Sequence, residues 1–70
     1  MNRLYRFEFL YKGIHQKVVT MYCFSKQHAI NFAQKTIREK YKMKLGWTCE
    51  IYLTGLKDSK KPVFIVYTRN

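Results

Sequence analysis

A chain of 70 residues with 47% hydrophobic side chains, three glycines and one proline is too apolar for intrinsic disorder and too short for more than one domain. Fourteen Lys and Arg against four Asp and Glu give a formal net charge of +10, a field that attracts polyanions such as nucleic acid, although a merely solvated lysine-rich surface has the same composition. No apolar run is long enough to span a membrane, and Arg3, Arg6 and Glu8 interrupt the first hydrophobic stretch, so neither a signal peptide nor a membrane partner is expected, and a cytoplasmic setting is.

Residues 3–11, RLYRFEFLY, alternate with period two, placing Tyr5, Phe7, Phe9 and Tyr11 on one face and Leu4, Arg6, Glu8 and Leu10 on the other. This is a strand. Lys12-Gly13 then suits a two-residue hairpin turn. Pairing Tyr11 with Ile14 puts Phe9 beside Gln16, Phe7 beside Val18 and Tyr5 beside Thr20, with Glu8 opposite Lys17 as an ion pair. The second strand is expected to run to about Phe24. Ser25 is a good helix N-cap, and KQHAINFAQKTIREKYKMK carries a helical period with Ala29, Ile30, Ala33, Ile37 and Tyr41 facing the sheet. His28, Asn31, Lys35, Arg38 and Lys42 project to the opposite side, and Gly46 is the expected stop. WTCEIYLT alternates again, and after GLKDSKKP comes VFIVYTR, rich in β-branched and aromatic residues. The order β-β-α-β-β predicts an α+β fold: a largely antiparallel four-stranded sheet with one helix packed on one face.

Catalytic constellations are absent from this pattern. Glu8, Glu39, Glu50 and Asp58 fall on different elements, His15 and His28 have no evident partner, and no glycine-rich phosphate loop occurs. No enzymatic activity and no cofactor are therefore expected. Cys23 and Cys49 sit in strands at no metal-ligand spacing and read as reduced residues. A disulfide between them requires neighbouring strands; a metal site combining them with His15 and His28 would require the fold to gather all four and lacks any C-x-x-C, so no metal site is expected.

The basic residues are better organised. Lys35, Arg38 and Lys42 share a helical stripe, Lys44 follows it, and Lys57, Lys60 and Lys61 cluster in the loop before the last strand. Each can neutralise a phosphate, while His28 and Asn31 could hydrogen-bond to sugar or backbone oxygens. The helix dipole alone accounts for cations in the last turn, but not for Lys35, Arg38 or the lysine loop. A second candidate surface is the sheet face away from the helix, where Arg6, His15, Lys17, Thr48 and Tyr52 could form a stacking platform for single strands. The last strand, VFIVY, is a candidate homodimer edge.

Ser25-x-x-x-Ala29-x-x-x-Ala33 followed by Gly46-x-Thr48-x-x-Ile51, with the two flanking hairpins, resembles the layout of very small phage-encoded proteins, some anti-CRISPR inhibitors among them. The resemblance covers most of the chain and implies a stoichiometric inhibitor that occupies a nucleic-acid-handling effector; no functional residue carries over. Many such inhibitors are acidic mimics of nucleic acid, whereas a basic one must grip an acidic protein surface or the nucleic acid itself. The leading expectation is a non-enzymatic module that binds the phosphate backbone of DNA or RNA.

Overall fold

The computed structural model describes residues 2–42, 44–54 and 60–68. Its elements are β1 (Arg3–Tyr11), β2 (Ile14–Cys23), α1 (Lys26–Glu39), β3 (Trp47–Leu53) and β4 (Phe64–Tyr67). All strand pairs are antiparallel, in the order β2-β1-β3-β4. The α+β architecture is the expected one, with β1 and β3 central and α1 lying across one face.

The hairpin turn at Lys12-Gly13 forms as expected: both residues have positive φ, 51° and 82°, the backbone pattern that matches strand twist in a two-residue loop. The register beyond it differs from simple alternation. Tyr11 pairs with Ile14 and Leu10 with His15, but Phe9 pairs with Lys17, leaving Gln16 as the extra residue of a bulge. From there Phe7 meets Val19, Tyr5 meets Met21, and Glu8 lies opposite Val18 rather than Lys17. The physical reason is burial. The shift brings Val19, Met21 and Cys23 onto the face of Phe7 and Tyr5, where they join the core, whereas the unbulged register would have put Thr20 and Val18 there.

That core contains Phe7, Phe9, Cys23, Ala29, Ala33, Cys49 and Ile51, each 0–1% exposed, and the burial of a side chain such as Phe or Ile contributes about 1.5–3 kcal/mol. Ala29 and Ala33 let the helix approach closely, and Phe32 meets Phe7 edge-on at 4.8 Å. Cys23 and Cys49 are both free thiols. They lie across from Arg3 and Phe9 on opposite sides of β1, so the strand rise separates them by about 20 Å and no intrachain disulfide can form.

Ser25 caps α1 as predicted. Its Oγ accepts a hydrogen bond from the His28 backbone N–H at 3.1 Å, and His28 Nδ1 accepts from the Phe24 N–H at 3.1 Å, a reciprocal cap in which histidine takes the usual place of Glu or Gln. The other end departs from expectation. The helix stops at Glu39 with Lys40 as C-cap, well before Gly46, because the N–H groups of Lys40 and Tyr41 both donate to the Thr36 carbonyl and Lys42 turns left-handed with φ 54°. Tyr41 then stacks on Trp47 with ring centroids 3.7 Å apart and planes 14° from parallel, and it also meets Phe9 at 5.7 Å. Two such ring contacts, at about 0.5–1.5 kcal/mol each beyond burial, offset a left-handed residue that costs roughly 1–2 kcal/mol. Gly46 serves the next turn instead. Its φ is 95°, and its carbonyl accepts from the Lys12 N–H at 2.8 Å, tying the first hairpin to the start of β3.

Candidate nucleic-acid interface

The bulge at Gln16 decides where the charges go. Residues directly opposite in a sheet share a face, so pairing with Phe9 moves Lys17 from the open face, where it was expected, to the helix side. There its ammonium stands close beside that of Lys40 at the helix C-cap and holds Lys40 below its ordinary proton affinity. Lys40 and Lys35 in turn line a shallow depression with Phe32, Thr36 and Glu39. Arg38 is exposed in the last turn, because the helix ends at Glu39, so the helix dipole, which was not expected to account for it, favours it after all.

The expected stripe is therefore shortened at one end and widened at its side. Lys35 and Arg38 remain on α1, but Lys42 and Lys44 lie beyond it, in the segment joining α1 to β3, so they continue the basic region without sharing the helix face. Lys60 and Lys61 are exposed ahead of β4, and Lys57 lies outside the described residues. His28 and Asn31 are on the helix as predicted but engaged: His28 closes the N-cap, and Asn31 Oδ1 accepts from Gln27 Nε2 at 3.0 Å. Lys17 and Lys40 were missed as a pair because the bulge that joins them has no signature in the residue pattern.

The opposite sheet face is organised differently. Glu8 and Glu50 lie directly across from one another on the central strands. Arg6 donates to Glu8 Oε2 at 2.7 Å, His15 Nε2 is 2.8 Å from Glu8 Oε1, and the Tyr52 hydroxyl donates to Glu50 Oε1 at 2.9 Å. Partial burial pushes the Glu8 carboxyl up, but the hydrogen bonds and charges of His15 and Arg6 outweigh it and leave the group below its ordinary value. Tyr52 is pushed up to about 12 by burial, then by its bond to Glu50 and the nearby carboxylates. With its ring under the Arg6 guanidinium, 4.3 Å from the centroid, and only 9% exposed, Tyr52 is not a free stacking surface. A single-strand platform centred on Arg6, His15, Lys17, Thr48 and Tyr52 is thus not assembled: Lys17 is on the other face, and two carboxylates occupy the middle.

Charge is consequently segregated across the sheet. Among the described residues the ion pairs are those of Glu8 with Arg6 and His15, so Lys17, Lys35, Arg38 and Lys40 have no acidic partner there. The Cys23, Cys49, His15 and His28 combination is not gathered either: the metal-ligand grouping among described residues is Glu8, His15 and Glu50. No helix among them is long and apolar enough to cross a membrane. Comparison of the chain with models of protein families, with curated proteins and with solved structures yields no match.

Proposed function

We propose that this protein is a non-enzymatic binding module whose helix side, centred on Lys17, Lys35, Arg38 and Lys40, engages the phosphate backbone of nucleic acid. The observation that carries this reading is the segregation of charge. Two of the three described acids, Glu8 and Glu50, are on the far sheet face, while on the helix side the exposed Lys17 and Lys40 side chains approach one another and the third acid, Glu39, borders the same depression as Lys35 and Lys40 without an ion pair to either. Juxtaposed exposed cations repel one another, and a phosphate oxygen placed between them converts that repulsion into attraction. Lys42 and Lys44 add positive charge in the segment that follows the helix, and Lys60 and Lys61 add exposed charge ahead of β4. Because the contacts are to phosphate, binding carries little sequence preference.

The acidic surface of a protein effector is the competing partner, the one that the phage-inhibitor layout implies, and affinity purification from lysate with and without nuclease separates the two. Retention of nucleic acid that vanishes with nuclease, together with direct binding of purified protein to generic duplex and single strands at low salt, supports the proposal. A protein partner retained equally after nuclease treatment, with no direct binding to either strand form, overturns it.

A further inference from the structure

The open face of the sheet holds a second charged site with different chemistry. Glu8 on β1, His15 on β2 and Glu50 on β3 come from three adjacent strands, and one donor atom from each lies within 4.8 Å of the others. Like charges directly opposite on neighbouring strands are destabilising, and here they are half-buried at the centre of the sheet. The unbulged register would have set Lys17 against Glu8. The bulge at Gln16 replaces that ammonium by the apolar Val18 opposite Glu8, while the imidazole of His15, a metal-binding group, reaches Glu8 from its pair with Leu10 at 2.8 Å. Arg6 offsets one of the two carboxylate charges, so the patch keeps an unbalanced negative charge facing a side chain that can donate nitrogen.

We propose that Glu8, His15 and Glu50 form a binding site for a divalent transition-metal ion of the zinc type. The donors are His15 Nε2, Glu8 Oε1 and a carboxylate oxygen of Glu50. Donor atoms around tetrahedral zinc are about 3.3 Å apart at the usual bond lengths, so the 2.8 Å approach of His15 to Glu8 opens slightly and the wider separations close. His15 can make that adjustment, its side chain being 58% exposed. Around the donors the supporting contacts already exist. Arg6 holds the other oxygen of Glu8, and Tyr52 holds Glu50 by its hydroxyl, the kind of outer contact that orients metal ligands. One nitrogen with two carboxylates suits zinc better than calcium or magnesium, which take mostly oxygen donors in larger number. Three protein ligands leave a fourth position to water or to a donor from a partner.

Titration of the full chain with zinc chloride alone, followed by NMR of its two histidines, tests the site. Saturable binding of one ion per chain should shift the His15 ring nitrogens and leave His28 unmoved, and magnesium should do neither. His15→Gln and Glu50→Gln should each weaken binding at least tenfold. Tyr52→Phe, which keeps the ring under Arg6, should weaken it roughly tenfold through loss of the supporting hydroxyl. Unsaturable binding, a shift at His28 instead of His15, or unchanged affinity in a folded His15→Gln variant overturns the assignment.

Discussion

Replacing Tyr41 by alanine removes the side chain that ends the helix and positions its basic terminus. The ring is half-buried, stacks on Trp47 at 3.7 Å and meets Phe9 at 5.7 Å. A buried Tyr covers 150–250 Å², so about half of that, at roughly 25 cal/mol per Å², is worth about 2.5 kcal/mol. The two ring pairs add about 1–3 kcal/mol beyond burial, and relaxation of the exposed turn returns part of the sum. Tyr41→Ala should therefore cost about 3 kcal/mol, a drop of order 15 °C in Tm for a domain of this size. Tyr41→Phe keeps both ring contacts and should stay within about 0.5 kcal/mol of the parent. Urea denaturation with far-UV circular dichroism measures both variants. A loss below about 1 kcal/mol for alanine, or equal losses for alanine and phenylalanine, would refute the claim that ring packing sets the helix end.

Other outcomes follow from particular residues. Gly46→Ala places a Cβ 3.1 Å from Lys12 Cγ at φ 95°, and should cost about 1–3 kcal/mol in thermal unfolding; a neutral result would mean that the turn relaxes freely. Ser25→Ala removes the N-cap acceptor and should cost about 1 kcal/mol, measurable by the same unfolding curves. The folded Glu8 carboxyl titrates below its ordinary value of 4.5, so the stability it contributes is complete above that value and is lost as pH falls through the lower, folded one. Denaturation of parent and Glu8→Gln should accordingly differ at neutral pH and converge on acidification, and a pH-independent difference would contradict the assigned contacts. Burial, followed by the charges of Glu50 and Glu8, pushes Cys49 up to about 12, and burial also raises Cys23. Both thiols should resist a thiol reagent in the native protein and react once it is denatured; rapid native labelling would contradict their burial.

The strands and the start of the helix were legible because their signals are local. Alternation in RLYRFEFLY, a glycine after Lys12 and a serine before an apolar helical stripe each specify one element without reference to the rest. The departures arise where a distant contact outweighs the local pattern. The periodicity through Tyr41 and Lys42 continues the helix on paper, but Tyr41 gains more by stacking on Trp47. Alternation in β2 likewise conceals the bulge at Gln16, whose benefit is the burial of Val19, Met21 and Cys23 against β1 and α1. That single extra residue separates Lys17 from Glu8. It brings Lys17 to Lys40, whereas Leu10 pairs with His15 in either register and the Glu8, His15 and Glu50 cluster depends on the pairing of β1 with β3, so neither grouping could be read from spacing alone. Lys35 and Arg38, one helical turn apart, needed no such contact to be read as exposed helix residues, although the early helix end puts Arg38 in the last turn.

The measurement that bears most directly on the central claim is the salt dependence of duplex binding for the parent and for a Lys17→Glu/Lys40→Glu double variant. Both side chains are exposed, and circular dichroism verifies that the double variant is folded. Four phosphates neutralised by Lys17, Lys35, Arg38 and Lys40 give a slope of log K against log salt of about −3.6, and removing two contacts reduces it to about −1.8 with a marked loss of affinity at low salt. Absence of parent binding at low salt, or a double variant that binds with the parent's slope, would contradict the account.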